Sequence, residues 1–100
     1  MMGFGYGVME NLAYDKSGKV LAANLGEYKI PNIKDIPALK TTILQSDFGS
    51  GPYNSMSIGE TALIPTAAAI ANAVDDAVGV RIKSLPITAE KVLDALKALA

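Results

Sequence analysis

The sequence predicts an α+β fold, in which a short β-hairpin and one further strand accompany two or three packed helices. Apolar residues recur at helical spacing near both ends of the chain, and β-branched residues bounded by turn residues lie between them. Half of the 100 residues are apolar, which is enough for a modest core. A chain of this size has an unfavourable ratio of surface to volume, so it forms one domain at most, or part of one.

The first helix is predicted in residues 1–11, because Phe4 and Val8 lie one turn apart. Gly3 and Gly7 also lie one turn apart, on another face, where a second backbone could approach closely. So many glycines make a weak helix in isolation, and we expect neighbouring structure to support it. A phosphate-binding loop is the poorer interpretation of these glycines, since no strand precedes them and the Lys-Ser or Lys-Thr pair is missing.

The middle of the chain predicts the β-structure. Short apolar runs at 12–14 and 20–22 flank residues 15–18, whose Asp and Gly match a type I turn, so we predict a hairpin. Residues 24–39 are expected to form an extended connection, because each of their prolines forces the preceding residue out of helical geometry. Residues 40–45 are rich in β-branched side chains and predict a strand.

A loop and two helices complete the predicted fold. Glycine, serine, proline and asparagine make residues 47–59 a loop with many hydrogen-bonding groups. An alanine-rich helix follows, with Pro65 in its first turn and Gly79 at its end. Thr88 is the predicted N-cap of the last helix, and Glu90 favours the positive end of its dipole.

Composition excludes several classes of function. The chain has no Cys and no His, which removes disulfides, zinc-thiolate sites, iron–sulfur ligation and the common nucleophilic triads, so we predict no metal ligands here. Nine basic and ten acidic residues are scattered without runs, which argues against a nucleic-acid partner. The longest apolar stretch, 62–74, has about 13 residues against the roughly 20 that a membrane span needs. We therefore expect no membrane partner. The absence of Cys is compatible with a reducing compartment, and the expected location is cytoplasmic.

One arrangement of residues is a candidate for a catalytic site. Glu60 follows Gly59 where the loop runs into the helix of residues 61–78. In the structural interpretation, the carboxylate complements the helix dipole, an effect of about 0.3–1 kcal/mol. In the functional interpretation it is a general base, and Gly59 lets the backbone approach a bound group. Spacing alone favours the structural interpretation.

Three tyrosines at the ends of loops and strands could line a pocket, although such residues usually pack with the hydroxyl at the surface. They are Tyr14, Tyr28 and Tyr53.

Ordered matches along nearly the whole chain carry a resemblance to a known family. They are Gly3-Phe4-Gly5-Tyr6 with Glu10, Tyr14-Asp15, Glu27-Tyr28-Lys29-Ile30-Pro31, Asp35-Ile36-Pro37, Gly51-Pro52, Gly59-Glu60, Ile64-Pro65-Thr66-Ala67-Ala68-Ala69-Ile70-Ala71-Asn72-Ala73-Val74, Gly79-Val80-Arg81 and Leu85-Pro86-Ile87-Thr88-Ala89-Glu90-Lys91-Val92. With this pattern the chain resembles the C-terminal segment of the molybdenum-binding large subunit of the xanthine dehydrogenase, aldehyde oxidoreductase and carbon monoxide dehydrogenase family.

The resemblance implies a fold, a site and a cofactor. Residues 1–100 would be the C-terminal part of a molybdopterin-binding domain, as a single and incomplete domain. Glu60 falls on the family's active-site glutamate, which is the base in metal-hydroxide attack on an aldehyde or N-heterocycle carbon. Ser57, Ile58 and Gly59 would lie beside the cofactor. Molybdenum with molybdopterin is therefore the cofactor implied for the full complex, and we expect the isolated chain neither to bind it nor to be active.

The implied partners are the rest of the molybdenum-binding subunit and, by family, FAD and iron–sulfur subunits. We also expect the isolated chain to self-associate.

Two departures from the family pattern lie near Glu60. Met56-Ser57 stands where the family usually has Lys before Gly, Ala or Ser, so a cationic contact is missing, and Thr61-Ala62 replaces a frequent pair of prolines. The alternative is therefore a noncatalytic assembly or interaction module, or an inactive fragment. The substrate, whether aldehyde, purine, other N-heterocycle or carbon monoxide, is set by loops that precede this segment in the family.

Overall fold

The computed structural model describes residues 1–99, and three α-helices provide its regular structure. They are α1, Met2–Val8, α2, Thr66–Val78, and α3, Ala89–Leu99, with a single 3-10 turn at Pro52–Asn54. The radius of gyration is 17.6 Å, whereas a compact domain of this length has about 13 Å. Much of the chain therefore lies outside a shared core. None of the helices described is long and apolar enough to cross a membrane.

Glycines let α1 pack directly on α2. Gly3 and Gly7 are buried, one turn apart on the face of α1 that meets α2. A Cβ on Gly3 would lie 2.5 Å from Cβ of Thr66, and one on Gly7 would lie 3.0 Å from Cδ1 of Ile70. Real Cβ atoms do not approach as closely as at Gly3, so that position requires glycine, whereas a methyl group at Gly7 would displace the end of the Ile70 side chain by a few tenths of an ångström. The predicted close approach of a second backbone at this face is confirmed.

The segment before α3 joins this pair of helices. The N–H of Ile87 donates to the carbonyl oxygen of Gly7 at 2.7 Å. Val80 and Ile87 are the most buried large apolar residues described, at 3% and 6% exposure. Lys91 Nζ donates to the three backbone carbonyls of residues 84–86 at 3.3, 3.2 and 2.9 Å. The turn into α3 is thus held from both sides.

The predicted end of α2 at Gly79 is confirmed, but its predicted start at residue 61 is wrong, because the helix begins at Thr66. Pro65 is the N-cap of α2, and Gly79 ends that helix in the left-handed region at φ 72°. The helix starts only after Pro65 because a residue that precedes proline is disfavoured in helical geometry. Thr88 Oγ1 accepts the Lys91 N–H at 3.4 Å, as an N-cap does. At the same end of α3, the backbone N–H of Glu90 and the Thr88 hydroxyl hold the pKa of Glu90 below its usual value.

The β part of the predicted α+β fold is not confirmed. The predicted hairpin is reduced to one isolated antiparallel bridge between Tyr14 and Val20, beside a hydrogen bond from the Leu21 N–H to the Ala13 carbonyl at 2.9 Å. Residues 40–45 form no strand. A strand needs a neighbour that pairs with its backbone groups, and no segment within residues 1–99 forms a ladder with this one. The helices with their connections are consistent with part of a domain.

Candidate functional site

Glu60 lies in a run of turns, residues 59–65, that precedes α2. Its side chain is exposed, and its carbonyl oxygen accepts the Leu63 N–H at 3.1 Å. The helix begins only at Thr66, and no acidic residue occupies its first turn. The effect of a helix dipole falls off within that first turn. Stabilisation of the dipole therefore does not account for a carboxylate at this position.

Tyr6 ties this run of turns to α1. Its hydroxyl donates to the carbonyl oxygen of Leu63 at 2.7 Å, across 57 positions in sequence. The same carbonyl accepts the Thr66 N–H at 3.2 Å, where α2 begins. The peptide of Leu63 thus joins the turn of Glu60, the start of α2 and the side of α1.

A cavity of about 420 Å³ lies beside this turn. We call residues 44–61, which contain all of its lining, the cavity segment. The lining combines amide and hydroxyl groups with apolar side chains, from Leu44, Gln45, Ser46, Tyr53, Asn54, Met56, Ser57, Ile58 and Thr61. Pockets for organic ligands typically combine an apolar wall with a few polar groups. This lining therefore suits an organic group with polar substituents.

The structure brings together some of the predicted site residues. Ser57 and Ile58 line the cavity. Gly59 and Glu60 do not, although the next residue, Thr61, does. Other lining residues were missed by the sequence reasoning, among them Gln45, on the far side of the predicted loop. The available signal was the concentration of amide and hydroxyl side chains along that loop, but no spacing rule indicates which of them face one another.

The loop that forms one wall of the cavity has an unusual backbone. Tyr53 and Asn54 are both left-handed, with φ of 55° and 60°, and such a conformation costs roughly 1–2 kcal/mol for a residue with a side chain. The Gly51 N–H donates to the Ser55 carbonyl at 3.0 Å and closes the turn. A Cβ on Gly49 would lie 2.7 Å from the carbonyl carbon of Asn54. Glycine at that position permits the close approach that the turn needs.

Gly59 differs from the packed glycines of α1. A Cβ built on Gly59 would meet nothing within 4 Å, and its φ lies outside the left-handed region. Neither packing nor backbone geometry within the described chain therefore requires glycine here. The space above its Cα is open to a group that the chain itself does not supply.

The tyrosines predicted as possible pocket residues have separate environments. Tyr53 lines the cavity, although the residue is fully exposed. Tyr14 is exposed beside the isolated bridge. The Tyr28 hydroxyl donates to Glu10 Oε2 at 3.0 Å, and this hydrogen bond raises the pKa of Tyr28. Only one of the three therefore belongs to the candidate site.

The described residues bring no three acidic side chains together as metal ligands. A metal beside this cavity would have to be held by a cofactor or by another polypeptide. Asp75 on α2 pairs with Arg81.

Comparison with known proteins shows which family the chain belongs to. Residues 1–37 match the family described as the molybdopterin cofactor-binding domain. The xanthine dehydrogenase molybdenum-binding subunit of Escherichia coli O157:H7 is 39% identical over 94 residues, which are 93% of this chain and 12% of the relative. The aldehyde oxidoreductase molybdenum-binding subunit of Escherichia coli K12 is 39% identical over 97 residues, 95% of this chain and 13% of the relative.

A third relative carries another substrate in its name. One of the nicotinate dehydrogenase subunits of Pseudomonas putida KT2440 is 39% identical over 87 residues, 87% of this chain and 7% of the relative. Identity to this chain is thus the same for relatives named for xanthine, aldehyde and nicotinate chemistry. The chain spans a small part of each, and the level of identity favours none of these three names over the others.

Proposed function

We propose that this chain, which belongs to the family of molybdenum-binding subunits of xanthine dehydrogenases and aldehyde oxidoreductases, carries the catalytic base of such an enzyme at Glu60. Residues 1–100 would be the C-terminal part of a molybdopterin-binding domain. The reaction would be the oxidation of an aldehyde or N-heterocycle carbon. The observation that carries the proposal is an exposed carboxylate beside a polar-edged cavity, at a position that the dipole of α2 does not explain.

The cavity segment fits the organic part of a molybdenum cofactor. Ser57 and Ile58 are in the lining, with further amide and hydroxyl groups that can bond the edges of a pterin ring. Gly59 leaves open space next to them. Because the described residues offer no cluster of metal ligands, this chain would hold the organic group and leave the metal to other atoms. When bound, the cofactor supplies the redox chemistry and the Lewis acidity of the reaction.

Glu60 would accept a proton as the oxygen nucleophile attacks the substrate carbon. An ionised carboxylate can take this role when it lies within hydrogen-bond reach of the proton. The long side chain of Glu60, near the start of the run of turns, reaches beyond its own backbone, and the neighbouring glycine adds no bulk between the carboxylate and a bound group. The remaining residues of the turn hold the backbone from which this carboxylate projects.

The rest of a molybdenum-binding subunit is the proposed partner. In and beside the cavity segment, Ile43 is 85% exposed, Leu44 90% and Phe48 80%. Exposed apolar groups at such density mark a surface that another polypeptide covers. Since the chain spans 12% of a molybdenum-binding relative, the remaining length of such a subunit is available to cover them. Subunits that carry FAD and iron–sulfur centres, and a cytoplasmic location, belong to the same proposal.

Exchange of Glu60 for Gln in the assembled, cofactor-loaded enzyme tests the proposal. Glutamine keeps the shape but loses the basic oxygen, so turnover should fall by roughly 10²–10⁴, about 3–5 kcal/mol of barrier, while molybdenum content persists. Asp76→Asn removes an exposed carboxylate from α2 and should leave turnover unchanged. Steady-state rates are measured beside molybdenum analysis.

Two outcomes would count against the base. Near-normal turnover of Glu60→Gln at full molybdenum content would make Glu60 a structural residue. If Glu60→Gln instead loses molybdenum, Glu60 has a role in holding the cofactor.

A noncatalytic assembly or interaction module is the second candidate. Met56 favours it, because this apolar side chain lines the cavity where the family resemblance leads us to expect a lysine. The same experiment separates the candidates. An assembled complex of such a module would have no turnover for the Glu60 exchange to remove.

A further inference from the structure

We infer that Tyr6 is a positioning residue for Glu60, acting through the peptide of Leu63. The inference rests on the proposed role of Glu60 as base and adds a residue on a different element to the same site. Tyr6 lies on α1, far from the cavity segment in sequence, and no side chain of α1 lines the cavity.

Two hydrogen bonds carry the connection. The Tyr6 hydroxyl donates to the Leu63 carbonyl at 2.7 Å, in a partly buried contact. The Leu63 N–H in turn donates to the Glu60 carbonyl at 3.1 Å. Among residues 1–99, the Tyr6 hydroxyl makes the one side-chain hydrogen bond that joins this turn to α1. The orientation of the Glu60 backbone is therefore fixed relative to α1.

The helix that carries Tyr6 is itself firmly mounted. Gly3 and Gly7 on either side of it pack directly against α2. The carbonyl of Gly7 also accepts the Ile87 N–H at 2.7 Å. A hydrogen bond from such a helix can hold a turn in place. The other side of the turn lacks comparable support, since a Cβ on Gly59 would meet no atom within 4 Å.

Loss of the Tyr6 hydroxyl should affect the position of Glu60 more than the fold. Without it, the Leu63 carbonyl keeps the hydrogen bond from the Thr66 N–H at 3.2 Å, so no buried oxygen is left unpaired and the start of α2 persists. A shift of about 1 Å in a catalytic group can reduce a rate by roughly 10²-fold. We therefore expect loss of the Tyr6 hydroxyl to affect turnover more than stability.

Tyr6→Phe in the assembled, cofactor-loaded enzyme tests the inference. We expect turnover to fall by roughly 10- to 100-fold, with molybdenum content and the unfolding midpoint close to those of the unchanged enzyme. Tyr28→Phe is the matched control, because it removes a tyrosine hydroxyl that bonds Glu10 and has no contact with the turn. Its turnover should be normal. The decisive variant combines Tyr6→Phe with Glu60→Gln and should be no slower than Glu60→Gln alone.

Each other result overturns the inference in a recognisable way. If Tyr6→Phe has normal turnover while Glu60→Gln loses it, Glu60 remains the proposed base and Tyr6 has no role in positioning it. If the fold reductions in turnover of the two single variants multiply in the double variant, Tyr6 acts independently of Glu60. Loss of molybdenum or of stability in Tyr6→Phe would likewise give Tyr6 a role independent of Glu60. Normal turnover of Glu60→Gln would instead refute the proposed base itself.

Discussion

The packed pair of helices, α1 with α2, differs from the cavity segment in how closely its residues are packed. In the pair, Gly3 and Gly7 are buried because the partner helix occupies the space that a side chain would need. In the cavity segment, Leu44 and Ile58 are large and apolar but remain largely exposed, and Gly59 faces open space. In the first region, the two helices pack on each other within the chain itself. The second has the apolar composition of a protein interior although its side chains are exposed, and in the proposed assembly another polypeptide covers it.

Alanine at Gly3 and at Gly59 should separate the two regions most strongly. At Gly3 the new methyl group would overlap Thr66, and overpacking of this kind typically costs about 1–3 kcal/mol. At Gly59 it meets nothing, so the free energy of unfolding of the chain should hardly change. Urea unfolding of both variants measures the difference. Equal destabilisation would show that the regions do not differ in packing.

The same Gly59 variant sharpens the comparison in the assembled enzyme. There the methyl group would occupy space that the proposal assigns to the cofactor, so Gly59→Ala should lower molybdenum content although it leaves the isolated chain unchanged. An assembled Gly59→Ala enzyme with full molybdenum content would place the cofactor elsewhere.

A smaller effect is expected at the N-cap of α3. Thr88→Ala removes the hydroxyl that accepts the Lys91 N–H and should cost about 1 kcal/mol of unfolding free energy. Thr42→Ala is the control, since Thr42 is exposed and lies outside every helix. Thermal unfolding of the two variants provides the measurement. A loss for Thr42→Ala as large as that for Thr88→Ala would mean that residues near the cavity segment are structured more firmly than the exposure of their side chains indicates.

The helices could be predicted because their signals are local. Gly79 and Thr88 mark the ends of helices through their own backbone and side-chain chemistry. The close approach at Gly3 was likewise visible in the spacing of small residues. The start of α2 was harder, since the apolar pattern continues upstream of Pro65 while the observed helix does not.

The strand and the cavity could not be predicted in the same way. Residues 40–45 have the composition of a strand, but a strand exists only where another one pairs with it, and composition carries no information on that partner. The lining of the cavity joins Gln45 to Thr61 across a loop, and no local pattern shows which residues meet. The role of Glu60 was suggested by the family resemblance, and the structure adds that the dipole of α2 does not explain it.

Amide hydrogen exchange in the assembled enzyme tests the central claim, that the cavity segment is one side of a cofactor site completed by other polypeptide. Exchange is compared in the isolated chain, the cofactor-free assembly and the cofactor-loaded assembly. Amides of the cavity segment should be poorly protected in the isolated chain, gain protection on assembly and gain more with the cofactor, while those of α2 change little. Exchange in the cavity segment that is as fast in the loaded enzyme as in the isolated chain would contradict the claim.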